Sequence, residues 1–205
     1  MKLKLLILVI FTFALPLVLT SCIGVKIETE QGDLSFLKDQ KLLNLEYDYS
    51  SMIIGDYSNV QEYYDQKIAG YNRKKPGKGD KWLENWITYR STKYEPKFEE
   101  FLNKVFKEKS VIASKRLEEA KYTLILRTLS TEPGYNFHIS ARKGSIDCEA
   151  IFVETKNKSN VLARIFVRDC NGDIYGSENF DFGSRIKDAY AKCARILGNH
   201  IIEYF

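Results

Sequence analysis

Histidine, cysteine and proline are scarce in this chain, and the scarcity narrows its chemistry. Only two histidines, His138 and His200, occur in 205 residues. They stand far apart, and neither an HExxH nor a CxxC spacing is present, so the sequence offers no ready ligand set for a metal. No GxSxG elbow singles out a serine nucleophile. Carboxylates are plentiful, but Asp48 with Asp56, and Glu99 with Glu100, read as strand-face, capping and helix-dipole charges rather than as an acid–base pair. No cofactor motif is found. A glycosidase needs only two carboxylates at no fixed spacing. A small cell-envelope hydrolase using paired carboxylates is therefore the alternative to a non-enzymatic binding domain.

A strong charge of one sign is also missing. Lysine and arginine total 31 against 27 acidic residues, a formal +4. Setting aside Lys2 and Lys4 of the leader leaves about +2. No face is basic enough to track a phosphate backbone, so nucleic acid is not an expected partner. The loop composition of residues 72–80, NRKKPGKGD, is glycine-rich and basic, yet it lacks the GxxxxGKS/T spacing, and Asp80 as N-cap would repel an anion.

What the chain does have is a leader. Lys2 and Lys4 precede an apolar run from Leu5 to Leu19, broken by Thr12 and Pro16, and the segment ends Leu19-Thr20-Ser21-Cys22. That is the layout of a secretory signal peptide. The run is shorter than the ~20 residues a spanning helix needs. Its last four residues resemble the lipobox of bacterial lipoproteins, which implies cleavage before Cys22 and acylation of that cysteine with palmitate-like chains. With Ile23 rather than aspartate next, the same resemblance implies an outer-membrane destination. Residues 1–21 are thus read as signal peptide, 22–41 as a lipidated tether, and 42–205 as one domain.

Within that domain Leu43, Leu45, Tyr47 and Tyr49 alternate with polar residues, as in a half-buried strand. Ser58-Asn59-Val60-Gln61 matches a capping box opening a helix to about Gly70. A second helix carries Trp82, Leu83, Trp86 and Ile87. After a break near Ser91, a third carries Phe98, Phe101, Leu102, Val105 and Phe106, with Pro96 in its first turn. From Tyr122 the pattern turns extended: residues 122–129 are apolar on both faces, Glu132-Pro133-Gly134 is a turn, and strands follow near residues 137–141, 146–155 and 161–169. Asn171-Gly172 suggests a hairpin into residues 173–180. Ser184 begins a closing helix with Ile186, Ala189, Tyr190, Cys193, Leu197, Ile201 and Tyr204 on one stripe. The order implies an α+β domain of two layers, an antiparallel β-meander plus an N-terminal strand, covered by helices on one face.

Two groups of side chains stand out. If Ile151 and Val153 share the core face with Ala163, Ile165 and Val167, the paired residue numbers have an even sum. A sum of 318 places Cys148 opposite Cys170 and allows a disulfide, leaving Cys193 as a small apolar residue; two unbonded thiols are the other reading. The second group is an aromatic belt of Tyr57, Tyr63, Tyr64, Tyr71, Trp82, Trp86, Tyr89 and Tyr94. Trp82, Trp86 and Tyr89 are its candidate partner-binding residues, unless the tryptophans pack on the sheet.

The lipobox at Cys22, the run Arg168-Asp169-Cys170-Asn171-Gly172-Asp173 in the place of a D-x-x-G turn, and the closing helix together resemble small lipoproteins of Bacteroidetes-type bacteria. Residues 93–205 are also similar in architecture to TolB amino-terminal and curli-secretion lipoprotein domains. The resemblance implies an envelope-assembly or binding role and carries over no catalytic residue. The partners it implies are the membrane, through acylated Cys22, and an envelope protein or polymer.

Overall fold

The computed structural model describes residues 25–137, 139–172 and 181–205. The leader with Cys22, His138, and the strand expected over residues 173–180 lie outside these. Strand β1 (Lys26–Gln31) comes first, then β2 (Leu42–Asp48), the short β3 (Ile53–Ile54), and helices α1 (Val60–Lys74), α2 (Lys78–Tyr89) and α3 (Glu95–Phe106). After them come β4 (Ile112–Lys115), β5 (Tyr122–Glu132), a hairpin of β6 (Tyr135–Phe137) and β7 (Ser140–Arg142), the long β8 (Ser145–Glu154) and β9 (Asn157–Asn171), and α4 (Phe182–Ile201).

The main sheet runs β1-β9-β8-β5-β2-β4, with β3 alongside the end of β5. Its centre, β5-β8-β9, is an antiparallel meander as expected from the sequence, but the strand expected over residues 137–141 is not part of it: residues 135–137 and 140–142 pair with each other as a separate two-stranded sheet. The N-terminal strand β2 joins it parallel to β5, and β4 joins parallel to β2. The sheet is open and helices pack on it, so the α+β reading holds. The tether does not hold over its described part: Lys26–Gln31 pairs with β9 from Lys26↔Arg168 to Gln31↔Arg164. Leu34 and Leu37 then plug into the core. Apolar pattern missed this strand because five of its six residues are exposed; backbone pairing to β9, not burial, holds it.

Local departures in the helical layer have identifiable causes. Asn59, not Ser58, caps α1, accepting from the Gln61 amide at 2.8 Å. The Gln61 side chain turns to Asp65 instead of closing a capping box. Helix α1 runs on to Lys74, and Gly77, at φ +77°, caps α2 in place of Asp80. No break occurs at Ser91; Arg90–Tyr94 forms a π turn that carries α2 straight into α3. Eight residues of pure α-helix would rotate Tyr94 about 80° away from Trp86. The wider π turn brings both rings to the same side. Trp86, Tyr94, Phe98, Leu102 and Phe106 consequently all face the core.

Helix α4 closes the core as its stripe implies: Ile186, Ala189, Tyr190, Cys193, Leu197 and Ile201 are all buried. Tyr204 lies beyond the helix and is exposed. Tyr190 stacks on Tyr94 at 5.3 Å and shares a 2.6 Å hydrogen bond with Thr128. The Tyr94 hydroxyl is buried with no hydrogen-bond partner, and an unsatisfied buried hydroxyl is costly. Tyr94→Phe keeps the stack, so it is expected to stabilise the protein by about 1 kcal/mol, read as a higher urea midpoint with unchanged slope. A lower midpoint would mean that the hydroxyl is satisfied.

Candidate functional site

The tryptophans of the aromatic belt are core residues. Trp82 is 8% exposed and Trp86 3%, and both pack against Tyr63, Tyr64 and Phe182. Tyr89 lies over Gly183, where a Cβ would stand 2.3 Å from its ring. Taken together, the three make no exposed patch. What Trp82 does offer is one edge of its ring, which lines a cleft of about 390 Å³ between α2 and the start of α4.

The cleft is built from Tyr71 of α1, Lys78, Lys81, Trp82 and Asn85 of α2, and Asp181, Phe182 and Arg185 at the start of α4. Successive helical turns set Lys78, Lys81, Trp82 and Asn85 on one face. Tyr71 stacks on Trp82 at 5.9 Å, forming the apolar wall. Close approach of α2 to α1 positions the wall: a Cβ on Gly79 would meet the Ile68 carbonyl oxygen at 2.4 Å, and the Gly79 amide donates to Asn72 Oδ1 at 2.7 Å. Past Arg185 the cleft continues into a second hollow of about 220 Å³, which adds Tyr63, Lys67 and the hairpin residues Tyr135, Asn136 and Phe137. Burial pushes the Lys67 ammonium below its ordinary range, partly offset by Glu132. Asp181, the carboxylate among these residues, is bonded to Lys93 at 2.9 Å. The lining therefore mixes aromatic surface, amides and an excess of cations, one of which, Lys81, also pairs with Glu84 at 2.7 Å. Sequence reasoning named Trp82 but missed Phe182 and Arg185, since nothing in a linear pattern brings α4 to α2.

A second cleft, of about 420 Å³, lies at the β2 and β4 end of the sheet and contains Glu46, Glu95 and Glu118. Its one buried carboxylate, Glu95, is already engaged. Glu95 accepts from Lys115 Nζ at 2.7 Å and from the Tyr49 hydroxyl at 3.4 Å. Glu46 pairs with Lys158, and Glu118 is exposed. The other buried carboxylate, Glu149 on β8, is held by Arg164 at 2.5 Å and Arg127 at 3.2 Å. Asp48 continues that row by accepting from Arg127 at 2.7 Å. Burial works against the Asp48 charge, but the bonds from Ser50 and Arg127 hold its carboxyl below the usual range. Glu118 apart, each of these carboxylates serves an ion pair, and the two that are buried among the described residues sit on different elements.

The cysteines are not paired as the even register required. Cys148 lies opposite Val167, and Cys170 opposite Ile146, so the register is odd through the middle of the pair. The chain turns at Thr155-Lys156, and β9 starts already at Asn157. The cause is that β8 is buried on both faces: Cys148, Ala150 and Phe152 face the helices, while Glu149, Ile151 and Val153 are buried on the other side. Periodicity could not choose between the two sets. Cys148, Cys170 and Cys193 are free thiols and fully buried. The Cys193 thiol makes hydrogen-bond contacts with Cys148 and Cys170, which together with burial push it well above its ordinary range. Among the described residues no cluster of histidine, cysteine or carboxylate is arranged to hold a metal ion. His200 instead shares a 3.4 Å hydrogen bond with Thr29 of β1. No described helix is long and apolar enough to cross a membrane.

No protein-family model matches the chain, and no curated protein matches it. Among solved structures, a variant PelC dodecamer from Paraburkholderia phytofirmans is similar over 83% of this chain and 98% of its own, with 8% identity and a TM-score of 0.38. A second PelC dodecamer from the same organism matches over 82% and 97%, at 10% identity and a TM-score of 0.33. Similarity at that level assigns neither a family nor a function to this chain. The implied likeness to TolB and curli-secretion lipoprotein domains gains no sequence support.

Proposed function

We propose that this chain is a non-enzymatic lipoprotein of the cell envelope, anchored by acylated Cys22 in the outer membrane, whose cleft between α2 and α4 binds an acidic envelope glycan. The observation that carries the binding reading is the cleft lining: Tyr71, Trp82 and Phe182 supply aromatic surface, Asn85 an amide, and Lys78, Lys81 and Arg185 positive charge. Aromatic faces suit the flat apolar side of a sugar ring. The cations favour one carrying carboxylates.

The test uses the processed protein with polygalacturonate as acidic probe and dextran as neutral control. Polygalacturonate is expected to bind, with affinity falling as salt is raised. Lys78→Gln with Lys81→Gln is expected to weaken it roughly three- to tenfold, because both lysines are on the surface. Equal retention of dextran, or no change in the double variant, would contradict the acidic-glycan reading. Labelling with an alkyne palmitate analogue in a bacterial host checks the anchor separately, since Cys22→Ala should abolish it.

A further inference from the structure

We propose that the β6–β7 hairpin is a second membrane contact, with Tyr135, Phe137 and Ile139 entering the lipid interface beside the acylated Cys22. This rests on the lipid-anchor reading above. Its premise is where the chain enters the sheet. Only Ile23, Gly24 and Val25 separate Cys22 from the first residue of β1. Four residue steps span at most about 14 Å, whatever their conformation. The domain is therefore held close to the bilayer, and the end of the sheet where β1 begins is the end nearest the lipid.

The hairpin springs from that same end. Lys26 lies opposite Arg168 in an antiparallel pair, so the chain before it heads toward Cys170 and Asn171 of β9. Asn171 pairs with Ser145, the first residue of β8, and Ser145 pairs with Glu132, the last of β5. Residues 133–144, between those two strands, carry the hairpin. With strands ~4.8 Å apart, β8 is only about 10 Å across the sheet from β1. An anchor at Cys22 and the hairpin thus meet one surface together.

Its exposed side chains suit that surface. Ile139 is 99% exposed, Phe137 67% and Tyr135 40%, three large apolar groups gathered on one short hairpin. Among the described residues the other large exposed apolar side chains, Ile53, Ile87, Ile112 and Tyr204, come from separate elements. Scattered apolar residues need no explanation, but a cluster does. Tyrosine beside aliphatic and phenyl groups is the composition favoured at a lipid interface, and exposed Lys26, Lys143 and Arg168 at the same end supply cations for headgroups. The hairpin base is also fixed in place: Arg185 of α4 donates through Nε to the Pro133 carbonyl at 2.9 Å and through Nη2 to that of Gly134 at 3.1 Å. A preset tip loses less freedom on insertion.

Tryptophan quenching by phospholipids brominated on the acyl chain tests the contact. The chain begun at Cys22 is coupled through that cysteine to a maleimide phospholipid on phosphatidylethanolamine–phosphatidylglycerol vesicles. This sets the anchor chemically, so failure of acylation in the cell and failure of the hairpin contact are read apart. Phe137→Trp and Ile139→Trp are each expected to lose about half of the added emission to the bromolipid. Ile112→Trp, also exposed, at 56%, but at the opposite end of the sheet, should stay unquenched. Hairpin tryptophans no more quenched than Trp at position 112 would overturn the proposal. So would a hairpin signal that changes only when an envelope protein extract is added, because the tip then docks a protein.

Discussion

Glu149→Gln is expected to destabilise the fold by about 3 kcal/mol at neutral pH. Glu149 is 5% exposed on the central strand β8, and one carboxylate there answers two guanidiniums, Arg164 and Arg127. Glutamine keeps the shape and one acceptor but removes the charge, leaving Arg164 without a counter-ion. Breaking a buried ion pair by neutralising one member typically costs 3–5 kcal/mol. The low end applies because Arg127 keeps Asp48 and both guanidiniums reach solvent, at 28% and 33% exposure. For a domain of this size the loss is roughly 6–12 °C in Tm. Asp48→Asn, at the more exposed end of the row, should cost about 1 kcal/mol or less. Urea titrations of the two variants check the order; equal losses, or less than about 1 kcal/mol for Glu149→Gln, would show that water carries most of the charge.

That row also explains what was legible in the sequence and what was not. The α4 stripe, the α3 stripe and the Glu132-Pro133-Gly134 turn were readable because each is a local pattern with one buried face. Gly134 indeed sits at φ +62°. Strand β8 defeated the same reasoning, since Glu149 and Ile151 are buried on one side while Cys148 and Phe152 are buried on the other. With no polar face, the register had no sequence marker, and the Cys148–Cys170 pairing fell with it. The cleft was half legible for a similar reason. Trp82 announced an aromatic site, but burial leaves only its edge available, and the cations that complete the site arrive from Lys78 in what read as a loop, from Lys81 just after it, and from Arg185 of a helix about a hundred residues away.

Gly32→Val is expected to cost about 3 kcal/mol and to release β1 from the sheet. Gly32 has φ +75°, and a Cβ there would stand 1.9 Å from the Leu162 carbonyl oxygen of β9. A β-branched residue at positive φ is strained in its own right, and the clash is with backbone, which cannot rotate away. The turn cannot simply relax, because it delivers Leu34 and Leu37 into the core immediately afterwards. The easier escape is for β1 to peel from β9, an edge strand whose exposed side chains give it little else to hold. Amides of residues 26–31 should then exchange with solvent at least tenfold faster than in the parent, while those of β8 slow or hold. Unchanged exchange in β1 together with a stability loss below about 1 kcal/mol would mean that the backbone accommodates the new side chain. The functional consequence follows from chain length alone. With β1 docked, Cys22 is four residues from the folded body; with β1 released, the free link runs to Leu34, which stays in the core, twelve residues on, and its reach grows from about 14 Å to about 42 Å. A domain on the long link is no longer pressed to the bilayer. Gly32→Val should therefore leave Cys22 fully acylated yet abolish the lipid quenching of Trp introduced at position 137, separating the anchor from the orientation that β1 imposes on the domain.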